Sequence, residues 1–237
     1  MKFIQEHRIF SIFKPFLSDN SSRCVNAEYY PKNILDKNKS INVLDLGCGA
    51  GNSIDLFQNI SPHINWFGVD VENSPEGKLR KRTDGNFSTY NGVTLPYDDN
   101  FFDFVYSSLV LEHVRHPDAL LKDVFRVLKP EGYFAGSVAY LIPYHSFSIY
   151  NFTPYGLIVS LKDSGFKLKE MKAGIDCTVS IFRHMLNAPK FLDPFYAKIS
   201  PFNILVNIFG VLFRLSHKEM NFLKLQFAGI ICFIAQK

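Results

Sequence analysis

Cysteine is scarce: there are four in 237 residues, at positions 24, 48, 177 and 232, and no two form a Cys-x-x-Cys pair. That spacing gives neither a zinc ligand set nor a disulfide framework, so no metal site is indicated and a reducing compartment is expected. Excess charge of one sign is lacking too. Lys and Arg number 26 against 22 Asp and Glu, a net of +4, and the densest basic cluster is "KLRKR" at 78–82. A nucleic-acid binder presents a broad basic face with interleaved aromatics, whereas one cluster in a polar stretch reads as a solvated loop. Long apolar runs are also missing. The longest is "FNILVNIFGVLF", 202–213, and a helix of that length covers about 18 Å against roughly 30 Å of hydrocarbon. It cannot cross a bilayer. The opening "MKFIQEHRIFSIFKPF" interrupts its apolar residues with Gln, Glu, His, Arg and Lys, so it lacks a signal-peptide core. A cytoplasmic location follows as the expectation.

What is present is a core-forming composition, 47% hydrophobic, of a length suited to one large domain. Residues 1–40 read as an N-terminal helical arm. From 41 onward strands and helices alternate. Strands are expected at 41–47, 65–71, 87–92, 101–109, 132–142, 166–174 and 227–237, and helices near 52–61, 118–130 and 153–166. Thr153 is a natural N-cap with Pro154 behind it, and Gly165 a stop. The fold class expected is α/β, a doubly wound, mostly parallel seven-stranded sheet. The last strand has no close helix before it and is expected antiparallel. The fifty or so residues at 175–226 read as an apolar, mainly helical insertion or cap between the core, 41–174, and the last strand. In 202–213, Asn203, Asn207 and Gly210 make a thin polar stripe on an oily helix. A buried or capping helix is the expectation, with an interfacial membrane contact or a substrate lid as the alternatives.

The chemistry sits in "INVLDLGCGAGNS", 41–53, where a short strand runs into Gly47, Gly49 and Gly51. In a doubly wound sheet ligands lie beyond the carboxyl ends of the strands, and the first strand–helix turn approaches them most closely. Glycine is expected where a Cβ would strike the ligand or forbid the turn. A P-loop needs a Lys after its last glycine and a dinucleotide fold needs Gly-x-Gly-x-x-Gly; neither spacing is met.

"VLDLGCGAG" resembles the first motif of class I S-adenosylmethionine-dependent methyltransferases, of the type 11-like kind. "NWFGVDV" and "NGVTLPYDDNFFDFVYSSLVLEHVRHP" (91–117) resemble that family's later motifs. The resemblance covers roughly 41–174 plus the last strand and implies a Rossmann-like fold. It also implies a cofactor-binding set of Asp45, Gly47, Cys48, Gly49, Gly51, Asp70, Val71, Asn91, Gly92 and Ser107. Asp70 would accept the ribose hydroxyls and Val71 would pack on adenine. Asn91 stands where the family carries Asp, and its carbonyl would take the adenine amino group without charge. Two further departures are "ENSPEGKLRKRTDGN" (72–86), whose Pro75, Gly77 and Gly85 argue for a loop in place of a helix, and Glu131 in the turn before the fifth strand, where Gly is commonest.

Methyl transfer is an in-line displacement that depends on alignment, and a hydroxyl acceptor also requires a base. His145, in the loop after the fifth strand, and His113, in "LEHV", are the candidates; His113 also suits a structural hydrogen-bonding role. The resulting expectation is a cytoplasmic methyltransferase acting on a small-molecule, saccharide or lipid-linked acceptor at a hydroxyl, yielding S-adenosylhomocysteine. It allows a peripheral seat at the inner membrane face through 202–213. The alternative is a non-catalytic S-adenosylmethionine-binding subunit or regulator. Nucleic acid is not expected as a partner, since neither an Asn-Pro-Pro-Tyr type motif nor a Pro-Cys nucleophile occurs.

Overall fold

The computed structural model describes residues 8–20, 25–142, 146–187, 189–192, 194–195 and 200–237. In chain order these form α1 (Arg8–Phe13), α2 (Tyr29–Ile34), β1 (Ile41–Leu46), α3 (Ser53–Ile60), β2 (Ile64–Val71), β3 (Asn86–Tyr90), β4 (Phe102–Ser108), α4 (Pro117–Val127) and β5 (Leu128–Ala139). There follow α5 (Pro154–Asp163), β6 (Lys167–Ala173), α6 (Cys177–Met185), α7 (Pro201–Leu212), α8 (His217–Gln226) and β7 (Ile230–Gln236). The strands make one seven-stranded sheet in the order β3-β2-β1-β4-β5-β7-β6. The β1–β2, β1–β4, β2–β3 and β4–β5 pairs are parallel. β7 runs antiparallel to both β5 and β6, so it alone of the seven is reversed. This is the Rossmann-like α/β class expected.

A central strand must feed two cores at once, and β7 shows how. Ile231, Phe233 and Ala235 point into the core on one face, with Phe10 and Phe13 of α1, Leu121 of α4, Leu157 of α5 and Phe222 of α8. Ile230, Cys232 and Ile234 point into the other, with Tyr30 of α2, Phe57 of α3 and Trp66. The Thr153 cap holds as expected, its hydroxyl accepting from the Gly156 N–H at 3.0 Å.

Several boundaries shift, and the last strand opens at Ile230 where 227 was expected. α4 ends at Val127 and β5 begins at Leu128, where 118–130 suggested helix to the proline. Pro130 disfavours helical backbone at the residue before it, so the chain straightens ahead of its stop signal. Glu131 then takes a left-handed φ of 64°, a strained position for a residue with a side chain. At the far end β5 stops at Ala139, short of the expected 142. The stretch 72–85 is a loop with one turn at Gly77–Leu79, in keeping with Pro75, Gly77 and Gly85, and Asn86 already opens β3.

The segment 175–226 divides physically. α8 belongs to the sheet: Phe222 meets Phe10 and Phe13 at ring separations of 5.3 and 5.8 Å, and Leu225 lies in the same core. The N-terminal arm is fastened by the same contacts and by a parallel bridge from Leu17 to Met171 on β6. α6 and α7 stand outside this packing.

Candidate functional site

The sheet changes winding direction between β1 and β4, where Leu46 pairs with Ser107. Ligands of such sheets lie in the crevice at that point. The turn after β1 is built from left-handed glycines, with φ of 73° at Gly47, 49° at Gly49 and 81° at Gly51. The Gly47 and Cys48 N–H groups both donate to the Val69 carbonyl, at 2.8 and 3.1 Å, which lashes the turn to β2.

What lies against these glycines is chiefly the protein itself. A Cβ on Gly47 would stand 2.4 Å from Val110, one on Gly49 2.9 Å from Glu76, and one on Gly51 2.8 Å from Phe87. Of the two reasons expected for glycine here, a forbidden turn and a close ligand, these contacts and the backbone angles bear on the first. The glycines are demanded by the backbone angles and by close packing of the loops after β2 and β4.

Asp70, at the end of β2, accepts from the Gly49 N–H at 2.9 Å and from the Val71 N–H at 2.7 Å. Val71 beside it is 39% exposed, an apolar side chain left open. Gly92 faces the same spot, its virtual Cβ 3.9 Å from Val71. Asn91 differs from its expected use. Its Oδ1 accepts from the N–H groups of Val93 and Thr94, at 3.0 and 2.7 Å, and so is engaged in shaping its own turn.

Asp45 is buried beneath the turn. It accepts a short hydrogen bond from the Ser53 hydroxyl, which in turn receives the Trp66 Nε1–H at 2.9 Å. Burial, countered by Ser53 and reinforced by the charge of Asp70, lifts its carboxyl to about 7. Cys48 is likewise buried, and burial pushes its thiol up to about 12, which keeps it protonated and unreactive. Ser107, only 1% exposed, makes no hydrogen bond from its hydroxyl among the described residues. A buried orphan hydroxyl is costly, and this one stands at the switch point.

Sequence reading missed Arg80. Its guanidinium donates from Nε and Nη2 to the Gly49 carbonyl at 2.9 and 2.8 Å and lies 4.0 Å above the Phe87 ring. Arg82 pairs with Asp55 at 2.8 Å and Asp84 at 2.6 Å. Two of the five residues read as a solvated basic cluster thus hold the turn and its helix in place. The cluster was visible in sequence; its partners Gly49 and Asp55, some 30 residues away, were not.

His113 lies in the single turn Leu111–His113 that follows β4, three residues after the Val110 that touches Gly47. It is half-buried at the same end of the sheet as the glycine turn. Glu112 is fully buried and acts as a local anchor. Its carboxylate accepts from the Ala139 N–H at 3.0 Å, and its carbonyl accepts from Ile149 and Tyr150 at 2.7 and 3.1 Å. Burial raises its carboxyl to about 7. These bonds tie the loop after β5 to the turn after β4. His145 in that loop falls outside the described residues. Between the two segments lies a cleft of about 580 Å³ lined by Arg115, His116, Asp118, Lys122 and Tyr150 among others.

Strand order, a glycine turn at the winding switch and a carboxylate ending the neighbouring strand are the features of a Rossmann-like nucleotide-cofactor fold. A family model described as a methyltransferase domain matches residues 44–136, about two fifths of the chain. A demethylmenaquinone methyltransferase of Lactobacillus johnsonii is 33% identical over 97 residues, spanning 38% of this chain and 40% of that protein. The chain thus matches well under half of that relative's length. Among solved structures, an S-adenosylmethionine-dependent methyltransferase from Mesorhizobium loti aligns with a TM-score of 0.57 at 16% identity, covering 89% of this chain and 98% of that one. A Haemonchus contortus phosphoethanolamine N-methyltransferase 2, in complex with S-adenosyl-L-methionine, gives 0.56 at 18% identity, covering 89% and 51%. At such identities the structures share the fold.

The residues present fit this cofactor. Ser107 offers a buried hydroxyl needing a partner, Asp70 a carboxylate with spare lone pairs, and Val71 with Gly92 an open apolar wall. Among the described residues no helix is long and apolar enough to cross a membrane.

Proposed function

We propose that the chain transfers a methyl group from S-adenosylmethionine to a hydroxyl of a small-molecule, saccharide or lipid-linked acceptor. The observation that carries this reading is the orphan Ser107 hydroxyl at the β1–β4 switch, with the glycine turn following β1 and Asp70 ending β2 on that strand's other side. The cofactor supplies an activated methyl group on a sulfonium sulfur. The chain's own part is to hold and orient. Asp70 would receive the ribose hydroxyls while Gly49 and Val71 keep its carboxylate aimed. Val71 and Gly92 would flank the adenine, and Asn91 sets the turn that presents Gly92. The backbone of Gly47, Cys48 and Gly49 would face the amino-acid part, and Ser107 would find its partner there.

The acceptor would enter the cleft at the start of α4. Arg115, His116 and Lys122 outnumber Asp118 in its wall, which suits an anionic or strongly polar head group. His113 or His145 would take the hydroxyl proton, since an imidazole accepts one near neutral pH. The names of the relatives, a demethylmenaquinone and a phosphoethanolamine methyltransferase, support a small acceptor. A peripheral seat at a membrane belongs to the same proposal for lipid-linked acceptors.

Titration calorimetry with S-adenosylmethionine and its demethylated product tests the cofactor site, and no heat at millimolar donor rejects it. Labelled-methyl transfer to fractionated small molecules and lipids tests the reaction. His145→Ala should keep donor affinity and lose turnover; unchanged turnover would remove it as the base. The alternative is a non-catalytic S-adenosylmethionine-binding subunit or regulator. Donor binding with no acceptor methylated in any fraction would support that alternative.

A further inference from the structure

α7 is an amphipathic helix turned inside out. It buries Asn203, Val206 and Gly210 against the body of the protein. Gly210 makes the close approach to α8 feasible, since a Cβ there would lie 2.1 Å from the Met220 sulfur. Its oily majority faces outward: Val211 is 80% exposed, Leu212 68%, Ile208 58% and Phe209 51%. α6 adds Phe182 and Met185, 59% and 75% exposed. Exposed apolar area of this extent along one helix marks an interaction surface.

Charge identifies the partner. Among the described residues of 177–218, Arg183, Lys190, Arg214 and Lys218 are basic and none is acidic; Lys218 pairs with Asp19 at 3.4 Å, and the segment keeps a positive balance. A second copy is disfavoured, because a two-fold contact would press two such positive faces together. A bilayer with anionic lipids is favoured on both counts, taking up the apolar side chains and attracting the basic ones. The helix is too short to span, so it must lie in the interface plane.

The roots of the two helices set the orientation. Asp176, buried at the carboxyl end of β6, accepts from the Thr178 N–H at 2.8 Å to cap α6 and from the Ser200 hydroxyl. Ser200 caps α7 by accepting from the Asn203 N–H at 3.0 Å. β6 runs parallel to β1, so both helices spring from the sheet end that carries the glycine turn. Four strand spacings, roughly 19 Å, separate β6 from β1.

We propose that the outward face of α6 and α7 docks on an anionic membrane surface, holding the carboxyl end of the sheet toward the lipid. Docking rests on the surface alone and does not depend on the methyl-transfer reading. The test is sedimentation of the full chain with vesicles of phosphatidylcholine containing about 30% phosphatidylglycerol, at about 50 mM salt, against phosphatidylcholine alone. Binding to the anionic vesicles is expected to be at least about tenfold stronger, and to fall about tenfold in a Val211→Asp/Leu212→Asp double variant whose melting temperature is unchanged. A Phe209→Trp reporter should shift its emission to the blue when anionic vesicles are added. Three results would overturn the proposal: no sedimentation with anionic vesicles, equal sedimentation of the double variant, or a lipid-free dimer that the same two substitutions disperse. The last assigns the face to a second copy.

Discussion

The glycine turn and α7 treat their polar groups in opposite ways. Around the turn, polar partners are closely matched: Gly49 gives its N–H to Asp70 and its carbonyl to Arg80, and Asp45 holds Ser53 against Trp66. On α7 the buried Asn203 faces inward and the hydrocarbon faces water. The first arrangement follows from local backbone angles and hydrogen-bond demand. The second depends on what the helix packs against. A motif is thus readable as geometry, whereas a helix face has no direction until its neighbours are known.

The largest effect that would sharpen this contrast is one of pH. Asp45 and Glu112 have folded values near 7, above ordinary values of 3.8 and 4.5. Both are raised, so their contribution to stability is full below the ordinary values and is lost as pH rises through about 7. Each tenfold change in a proton-binding equilibrium is worth about 1.4 kcal/mol, so the pair implies a fall of several kcal/mol between roughly pH 4 and pH 8. Denaturant titrations at both ends measure it. Asp45→Asn and Glu112→Gln should flatten the profile, and no outward residue of α7 should alter it.

Next in size is Asp70→Ala. Losing a charged acceptor to the donor's sugar should cost about 1.5–3 kcal/mol, ten- to a hundredfold in donor affinity by calorimetry. Unchanged affinity would end the reading of that end of β2. Breaking the α7 comparison comes third. Val206→Ser on the buried face should destabilise by about 1–3 kcal/mol, while Ile208→Ser two residues on should stay within about 0.5 kcal/mol. Equal losses would mean that the oily face is buried after all. The smallest effect is that of Arg80→Ala, about 1–2 kcal/mol of stability from its two bonds to the Gly49 carbonyl. It should also weaken donor binding a few-fold if the loop is part of the site.

Much of the fold was legible. "IICFIA" reads as a strand buried on both faces because it is apolar throughout, and Thr153-Pro154 and Gly165 bracket α5 because caps and breakers act within a few residues. Asp45 and Asp70 were legible as carboxylates near strand ends, and there they accept from Ser53 and from Gly49. Arg80, Ser53 with Trp66, and the cleft by Arg115 and Lys122 were not. Each depends on contacts between segments far apart in the chain, which no spacing rule encodes. Asn91 was found for its carbonyl, yet that carbonyl serves its own turn.

By itself the sequence determined the alternation of strands and helices, the left-handed turn after the first strand and the carboxylate one strand away, because short-range sterics and side-chain periodicity act locally. Only the tertiary structure decided that the turn is gripped by Arg80, that Ser107 at the winding switch has no partner among the described residues, and that α7 shows its hydrocarbon to the outside. Those outcomes depend on which segments meet, and a buried hydroxyl or an oily face acquires its meaning from the neighbour it has or lacks.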